Sequence, residues 1–181
     1  MERFERFAVI LELIERLRAA GSWCGETHVQ KSSYFLEEQL GVPLDYDFIL
    51  YKHGPFSFEL RDELTEMRAD RFIQLERHDP YGPSLAPADR AGLLKAKRSE
   101  RLSGYREKID FVAQQIGVRS VVDLEKLATA LFVRKRFRDE ETDLVERILE
   151  LKPHLQQADA EWALRELGEI TQAVTDRFPV H

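Results

Sequence analysis

The stretch Asp47–Leu85, DFILYKHGPFSFELRDELTEMRADRFIQLERHDPYGPSL, decides how the chain is read. Its opening, Asp47 to Lys52, is a short run of aromatic and β-branched residues bounded by Asp before and His-Gly-Pro after, and it reads as a strand. Gly54-Pro55-Phe56-Ser57 then sets backbone direction: Pro55 fixes its own φ and biases Gly54 towards extended geometry. Ser57 serves as an N-cap, Glu59 sits near the positive end of the helix dipole, and Leu60, Leu64 and Met67 form one buried stripe. RFIQLE at Arg71–Glu76 reads as another strand, HDPYGP at 78–83 as a turn-rich tip, and Ser84 and Leu85 as the return of a hairpin.

Upstream, Phe4, Phe7, Ala8, Leu11 and Ile14 recur at helical spacing, and Ile10, Leu13 and Leu17 widen the stripe around much of the helix. Gly21 stops it. Glu26 and Thr27 open a second helix with Val29, Ser33, Leu36 and Leu40 on one face, ended by Gly41 and Pro43. Helix, helix, strand, helix, hairpin is the winged-helix order, in which the third helix and the wing are the usual contact elements.

Downstream of Pro87 the pattern is helical. One helix carries Leu102, Tyr105, Ile109, Val112 and Ile116 up to a stop at Gly117; the next carries Leu124, Leu127, Ala128 and Leu131. Leu144, Ile148 and Leu151 mark another, closed by Pro153, and Ala160, Ala163, Leu164, Leu167, Ile170 and Val174 mark the last. The expected fold class is therefore mainly α (α+β): a winged-helix-like domain over 1–88 and a helical subdomain over 89–181 packed on it.

Of the 181 residues, 43% are hydrophobic and 33% charged, which suits one compact body or two small subdomains. Cys24 is the single cysteine, so an internal disulfide framework is excluded and a reducing, cytoplasmic location is expected. The N-terminal MERFERFAVILELIERLRAAG mixes Glu and Arg among its apolar residues, and neither a secretory leader nor a membrane span is expected. A net charge of −6 and a pI near 5.5 disfavour a protein that grips nucleic acid with its whole surface.

VQKSSYFLEEQLGVPLDYDFILYKHGPFSFEL, from Val29 to Leu60, resembles the segment shared by YwgA-like proteins and the SocA-like antitoxin (Panacea) domain. The resemblance rests on Lys31 ahead of Tyr34-Phe35, then a strand leading into His53, Gly54, Pro55, Phe56 and Ser57. LEKLATALFVRKRF and ILELKPHLQQADAEWALREL are similar to the helical tail of YwgA-like proteins, with Lys152, Pro153 and His154 as the distinctive point. Ser32 and Ser33 depart from the pattern, standing where the family usually has aliphatic residues. The resemblance implies a winged-helix-like regulatory or antitoxin-type protein.

No catalytic or metal signature stands out, and no cofactor is expected. Cys24 and His28 could form half a zinc site, but a structural zinc needs four ligands and none follow at finger-like spacing. The remaining histidines, at 53, 78, 154 and 181, are scattered singly, and His53 is expected to hydrogen-bond the turn that launches the third helix. Glu37-Glu38 is read as an exposed, solvated pair. HExxH, GxSxG, phosphate-cradling glycine loops and kinase motifs are absent, so the chain is expected not to be an enzyme. Catalysis would instead need a cleft with a perturbed group near His53 or Glu37.

Charge separates two remaining functions. The third helix, Ser57 to Asp70, carries five acids (Glu59, Asp62, Glu63, Glu66, Asp70) against Arg61 and Arg68, which disfavours insertion between DNA phosphates. Positive charge gathers at Lys95, Lys97, Arg98 and Arg101, and again at Arg134, Lys135, Arg136 and Arg138, as solvated faces, counterparts to acidic helices such as 139–150, or a nucleic-acid patch. The expected function is a non-catalytic, antitoxin-like or regulatory module that binds a protein partner, a toxin or defence component, through Lys31, Tyr34, His53, Phe56, Ser57 and Arg61. A winged-helix DNA-binding transcriptional regulator is the alternative. Neither the partner nor the oligomeric state is legible.

Overall fold

In the computed structural model, residues 1–78, 81–137 and 143–179 are described. Asp79 and Pro80 of the expected wing tip, Arg138, residues 139–142 of the acidic stretch, and His181 lie outside them. The chain divides into two compact units, one of 1–48 with 57–119 and the other of 49–56 with 120–181. The expected boundary at 88 does not coincide with this division: unit 1 runs on through three more helices, and unit 2 takes a short segment from the middle of unit 1.

Unit 1 is built on α1 (Arg3–Ala19), against which α2 (Glu26–Glu38), α4 (Ala91–Lys97), α5 (Ser99–Ser103), α6 (Arg106–Gln115) and β4 (Tyr81–Pro87) pack. The centrality of α1 follows from its sequence: Phe7, Ile10, Leu11, Leu13, Ile14 and Leu17 point all round the helix and all are buried. α3 (Phe58–Ala69) starts at Ser57, whose Oγ accepts from Leu60 N at 3.2 Å, the expected cap. β3 (Ile73–His78) pairs antiparallel with β4, Leu75 opposite Leu85, as the expected hairpin. The single helix expected over 102–116 is split instead, because Gly104 ends α5 before α6 begins at Arg106. At Gly117 a Cβ would stand 1.9 Å from Leu17 Cδ2, so the α6 terminus lies directly on α1.

The buried carboxylates Glu63 and Glu12 of unit 1 are paired. Glu63 of α3 receives Tyr46 Oη at 2.6 Å and the Arg6 guanidinium, which also lies over the Tyr46 ring. Glu12 of α1 receives Lys95 Nζ at 2.6 Å and Arg16 Nε at 2.8 Å. Burial works to raise the Glu12 carboxyl, but the hydrogen bonds from Lys95 and Arg16 together leave it below the ordinary carboxylate range.

Unit 2 joins β1 (Ile49–Tyr51) and β2 (Gly54–Phe56) to α7 (Val121–Arg136), α8 (Leu144–Leu151) and α9 (Gln157–Arg177). β2 lies on α7, and α7, α8 and α9 pack on one another through Leu124, Leu127, Ala128, Leu131, Ile148, Ala160, Ala163 and Leu167. The strand expected before α3 is present as β1, but it pairs with β2 in a two-stranded sheet of its own and not with β3 or β4. Gly54, expected to be extended, has φ +84°. The reason is the two-residue reversal at Lys52-His53, after which a left-handed residue resumes the ladder, and glycine takes that conformation without a Cβ penalty.

Candidate functional site

The most unusual side-chain chemistry in unit 2 collects around one carboxylate. Glu125 stands on α7 one position from the apolar stripe and is 8% exposed. Its Oε2 lies 3.2 Å from His53 Nδ1, within hydrogen-bond reach. Its Oε1 lies 3.2 Å from His154 Nε2 and 3.7 Å from Lys152 Nζ.

Two segments about a hundred residues apart thus converge. The β1–β2 turn brings His53, and the loop after α8 brings Lys152 and His154, held there because Pro153 cannot continue a helix. Lys152 is 4% exposed and its ammonium donates to the carbonyls of Tyr51 and Lys52, each at 2.6 Å, clamping the turn. Burial lowers the Lys152 ammonium from its ordinary range, with Glu125 acting in the opposite sense. The histidines expected to stand singly therefore share a carboxylate in two cases, and His53 orients on Glu125 instead of supporting the start of α3.

Both imidazoles remain open, their side chains 74% and 56% exposed. With one nitrogen turned to Glu125, each keeps a second, His53 Nε2 and His154 Nδ1, for another molecule. On the same segments Ile49 and Tyr51 of β1 and Leu151 at the end of α8 are exposed, and the Tyr51 ring lies 5.9 Å from that of half-buried Phe56. The arrangement can offer oriented hydrogen bonds beside apolar area, which is the make-up of a protein-recognition surface. The Lys152 ammonium supplies the positive charge beside the carboxylate, and among the described residues no three His, Cys, Asp or Glu side chains form a group able to hold a metal ion.

Several expected contact residues are not at the surface. Lys31 and Tyr34 on α2 are each 2% exposed, and Ser57 is fully buried, its backbone N–H and C=O both bonded to the Gln30 amide. They are interior because α2 is enclosed over most of its circumference, beyond the stripe that periodicity identified. Arg61 is exposed, paired with Asp62 at 3.0 Å, its guanidinium over the Phe58 ring. Cys24 and His28 are buried, and burial pushes the Cys24 thiol up to about 12, the range of an inert structural cysteine.

Glu37 is half-buried, contrary to the solvated reading. Burial raises its carboxyl to about 7 although the backbone N–H groups of Tyr46 and Asp45 bond to it. Its neighbours are thus the turn that follows α2 and the carboxylates of Glu38 and Asp45.

The basic residues are mostly answered within the chain. Lys95 pairs with Glu12 and Glu15, Arg98 with Glu2 at 3.5 Å, and Arg101 with Glu5 at 3.2 Å, so their counterpart is α1. Arg134 donates to Thr171 Oγ1 at 2.5 Å, and burial lowers its guanidinium. Lys97, Lys135 and Arg136 are exposed. Glu125 was missed by the sequence reading; the available signal was an acid whose neighbours at i−4, i−3 and i+3, Val121, Val122 and Ala128, are apolar, the pattern of a charge that needs a partner. No helix among the described residues is long and apolar enough to cross a membrane. No protein-family model matches the chain, and no curated protein does.

Proposed function

We propose that the chain is a non-catalytic, antitoxin-like regulatory module that acts by binding a partner protein, with the β1–β2 turn and the loop after α8 as its recognition surface. The observation that carries this is the pair of open imidazoles that converge on buried Glu125, His53 within hydrogen-bond reach of it, on the same segments as exposed Ile49, Tyr51 and Leu151. Fixed polar groups next to apolar area bind at little entropic cost. His53, Phe56 and His154, which belong to the segments that resemble YwgA-like and SocA-like proteins, contribute to this surface, which supports a toxin or defence component as partner. Of the expected contacts, His53 and Phe56 belong to it; Lys31, Tyr34 and Ser57 act as scaffold. Unit 1 is read as a winged-helix-like body, with α1, α2, α3 and the β3–β4 wing in the expected order, and a cytoplasmic location goes with the buried, reduced Cys24.

Tagged protein purified from its native cells should bring down one stoichiometric partner, and the Ile49→Asp/Tyr51→Asp variant should lose it by at least about tenfold in affinity. A partner retained at full strength by the variant, or none with the native chain, counts against the reading. The DNA-binding alternative draws less support, because Lys95, Arg98 and Arg101 are already neutralised by α1. It requires a complex with duplex DNA that weakens steeply with salt in a gel shift.

A further inference from the structure

Charge on α3 is sorted by face. Glu59, Glu63 and Glu66 follow one another at i, i+4 and i+7, and all three are met by arginines of α1: Arg6 reaches Glu59 at 2.9 Å and also Glu63, while Arg3 pairs with Glu66. The acidity counted along the helix is therefore largely answered inside unit 1. Arg61, Thr65 and Arg68, again at i, i+4 and i+7, form a different face, and this one turns to the β3–β4 hairpin.

Between that face and β3 runs a groove of about 810 Å³, lined among others by Thr65, Arg68, Arg71, Leu75, Arg77 and Asp89. A smaller recess of about 110 Å³ shares Thr65, Arg68 and Leu75 with it and extends it to Arg61. Arg71 pairs with Asp89. Arg68 and Arg77 have no ion pair among the described residues. Leu75 lines the same groove as these two arginines and is 40% exposed although it belongs to a strand whose side chains alternate, Ile73 buried on the same face.

Arg71 adds an independent mark. It has φ +62° and occupies the left-handed position after α3, with Phe72 N bonded to Met67 O; α1 ends by the same device with glycine, Gly21 at φ +86° and Ser22 N bonded to Leu17 O. A guanidinium is kept in the groove at a position where glycine would relieve the backbone.

We propose that this groove docks an acidic linear segment of a partner protein, one large apolar side chain resting on Leu75 and carboxylates engaging Arg68 and Arg77. Guanidinium and carboxylate match in bidentate geometry, and the exposed leucine in the same groove asks for an apolar anchor. A nucleic-acid backbone would satisfy the arginines and leave Leu75 uncovered. The choice of occupant rests on the protein-binding reading above; the site is a second one, on unit 1.

The test is selection of random displayed linear peptides on the whole native protein, in parallel with Arg68→Glu/Arg77→Glu, whose wild-type residues have no described ion pair to lose. The selected peptides should carry net negative charge and an aliphatic or aromatic residue. Their binding by fluorescence anisotropy should weaken at least about tenfold in that variant and severalfold in Leu75→Ser, with thermal melts unchanged. Peptides without acidic bias, no enriched peptides, or equal binding by the variants would overturn the proposal. So would a labelled DNA duplex that binds more tightly than any selected peptide and depends on the same arginines. Failure here with the Ile49/Tyr51 result intact removes the groove alone, whereas an intact groove with no effect of Ile49→Asp/Tyr51→Asp on the cellular partner removes the hairpin surface alone.

Discussion

Burial pushes the Glu37 carboxyl up to about 7, so the folded chain holds this proton more tightly than the unfolded chain does. Its contribution to stability is full below the ordinary carboxylate range and is lost as pH rises through about 7. Glu37→Gln, neutral at every pH, should match the native protein at pH 5 and exceed it at pH 8. After screening of the half-exposed carboxylate the gain is on the order of 1 kcal/mol, or about 2–4 °C in Tm by calorimetry. Gly117 gives the opposite sign: an added methyl meets Leu17, which is fully buried and has nowhere to swing, so Gly117→Ala should cost about 1–3 kcal/mol in denaturant unfolding. At this scale sequence is informative where a residue acts on its own backbone, as Ser57 and Gly21 do. It is poor where burial is decided by distant neighbours: Lys31 and Glu37 carry charges that periodicity assigns to water, and the way α2 is enclosed overrules it.

The β1–β2 hairpin has three residues in each strand, too few to be stable unaided. Lys152 fastens it by two carbonyls and neutralises Glu125 beneath it. Lys152→Met should therefore cost about 3 kcal/mol, since it frees the turn and leaves a buried carboxylate short of its cation. Adding Glu125→Gln should recover about 1–2 kcal/mol, and a double-mutant cycle by chemical unfolding would reveal additivity if the two do not act together. The clamp was not legible, because Lys152 and Tyr51 are far apart in sequence and no local pattern couples them. The β3–β4 hairpin was legible from its Gly- and Pro-rich tip, although the expected turn over 78–83 was drawn too long, since His78 belongs to β3 and Tyr81–Pro83 to β4; the N-cap of α3 and the stripes of α7 and α9 were legible too. The partner of β1 was not legible from element order; the left-handed backbone at Gly54 and the two-residue reversal before it send that strand to β2.

At the scale of the whole molecule, the chain leaves unit 1 at residue 48, returns at 57 and leaves again at 119. A fragment of residues 1–88 would bare the faces of α1 that α4, α5 and α6 cover, including Leu17, which lies against Gly117. It should show no cooperative thermal transition by circular dichroism and poor amide dispersion by NMR, whereas fragment 1–119 supplies those helices; a cooperative 1–88 would disprove the account of α1 as the centre of unit 1. Composition and helix count forecast a mainly helical chain with a small hairpin, but a domain border drawn between consecutive elements could not foresee a unit assembled from separated pieces. That assembly has a consequence for the newborn chain. The segment 49–56 leaves the ribosome roughly a hundred residues ahead of Lys152 and His154, a delay on the order of 5–20 s at ordinary rates of synthesis. Throughout that interval Tyr51, His53 and Phe56 lack the clamp, and for most of it Glu125 as well, so the polypeptide passes through a period in which this short hairpin is open to chaperones, proteases or an early-binding partner.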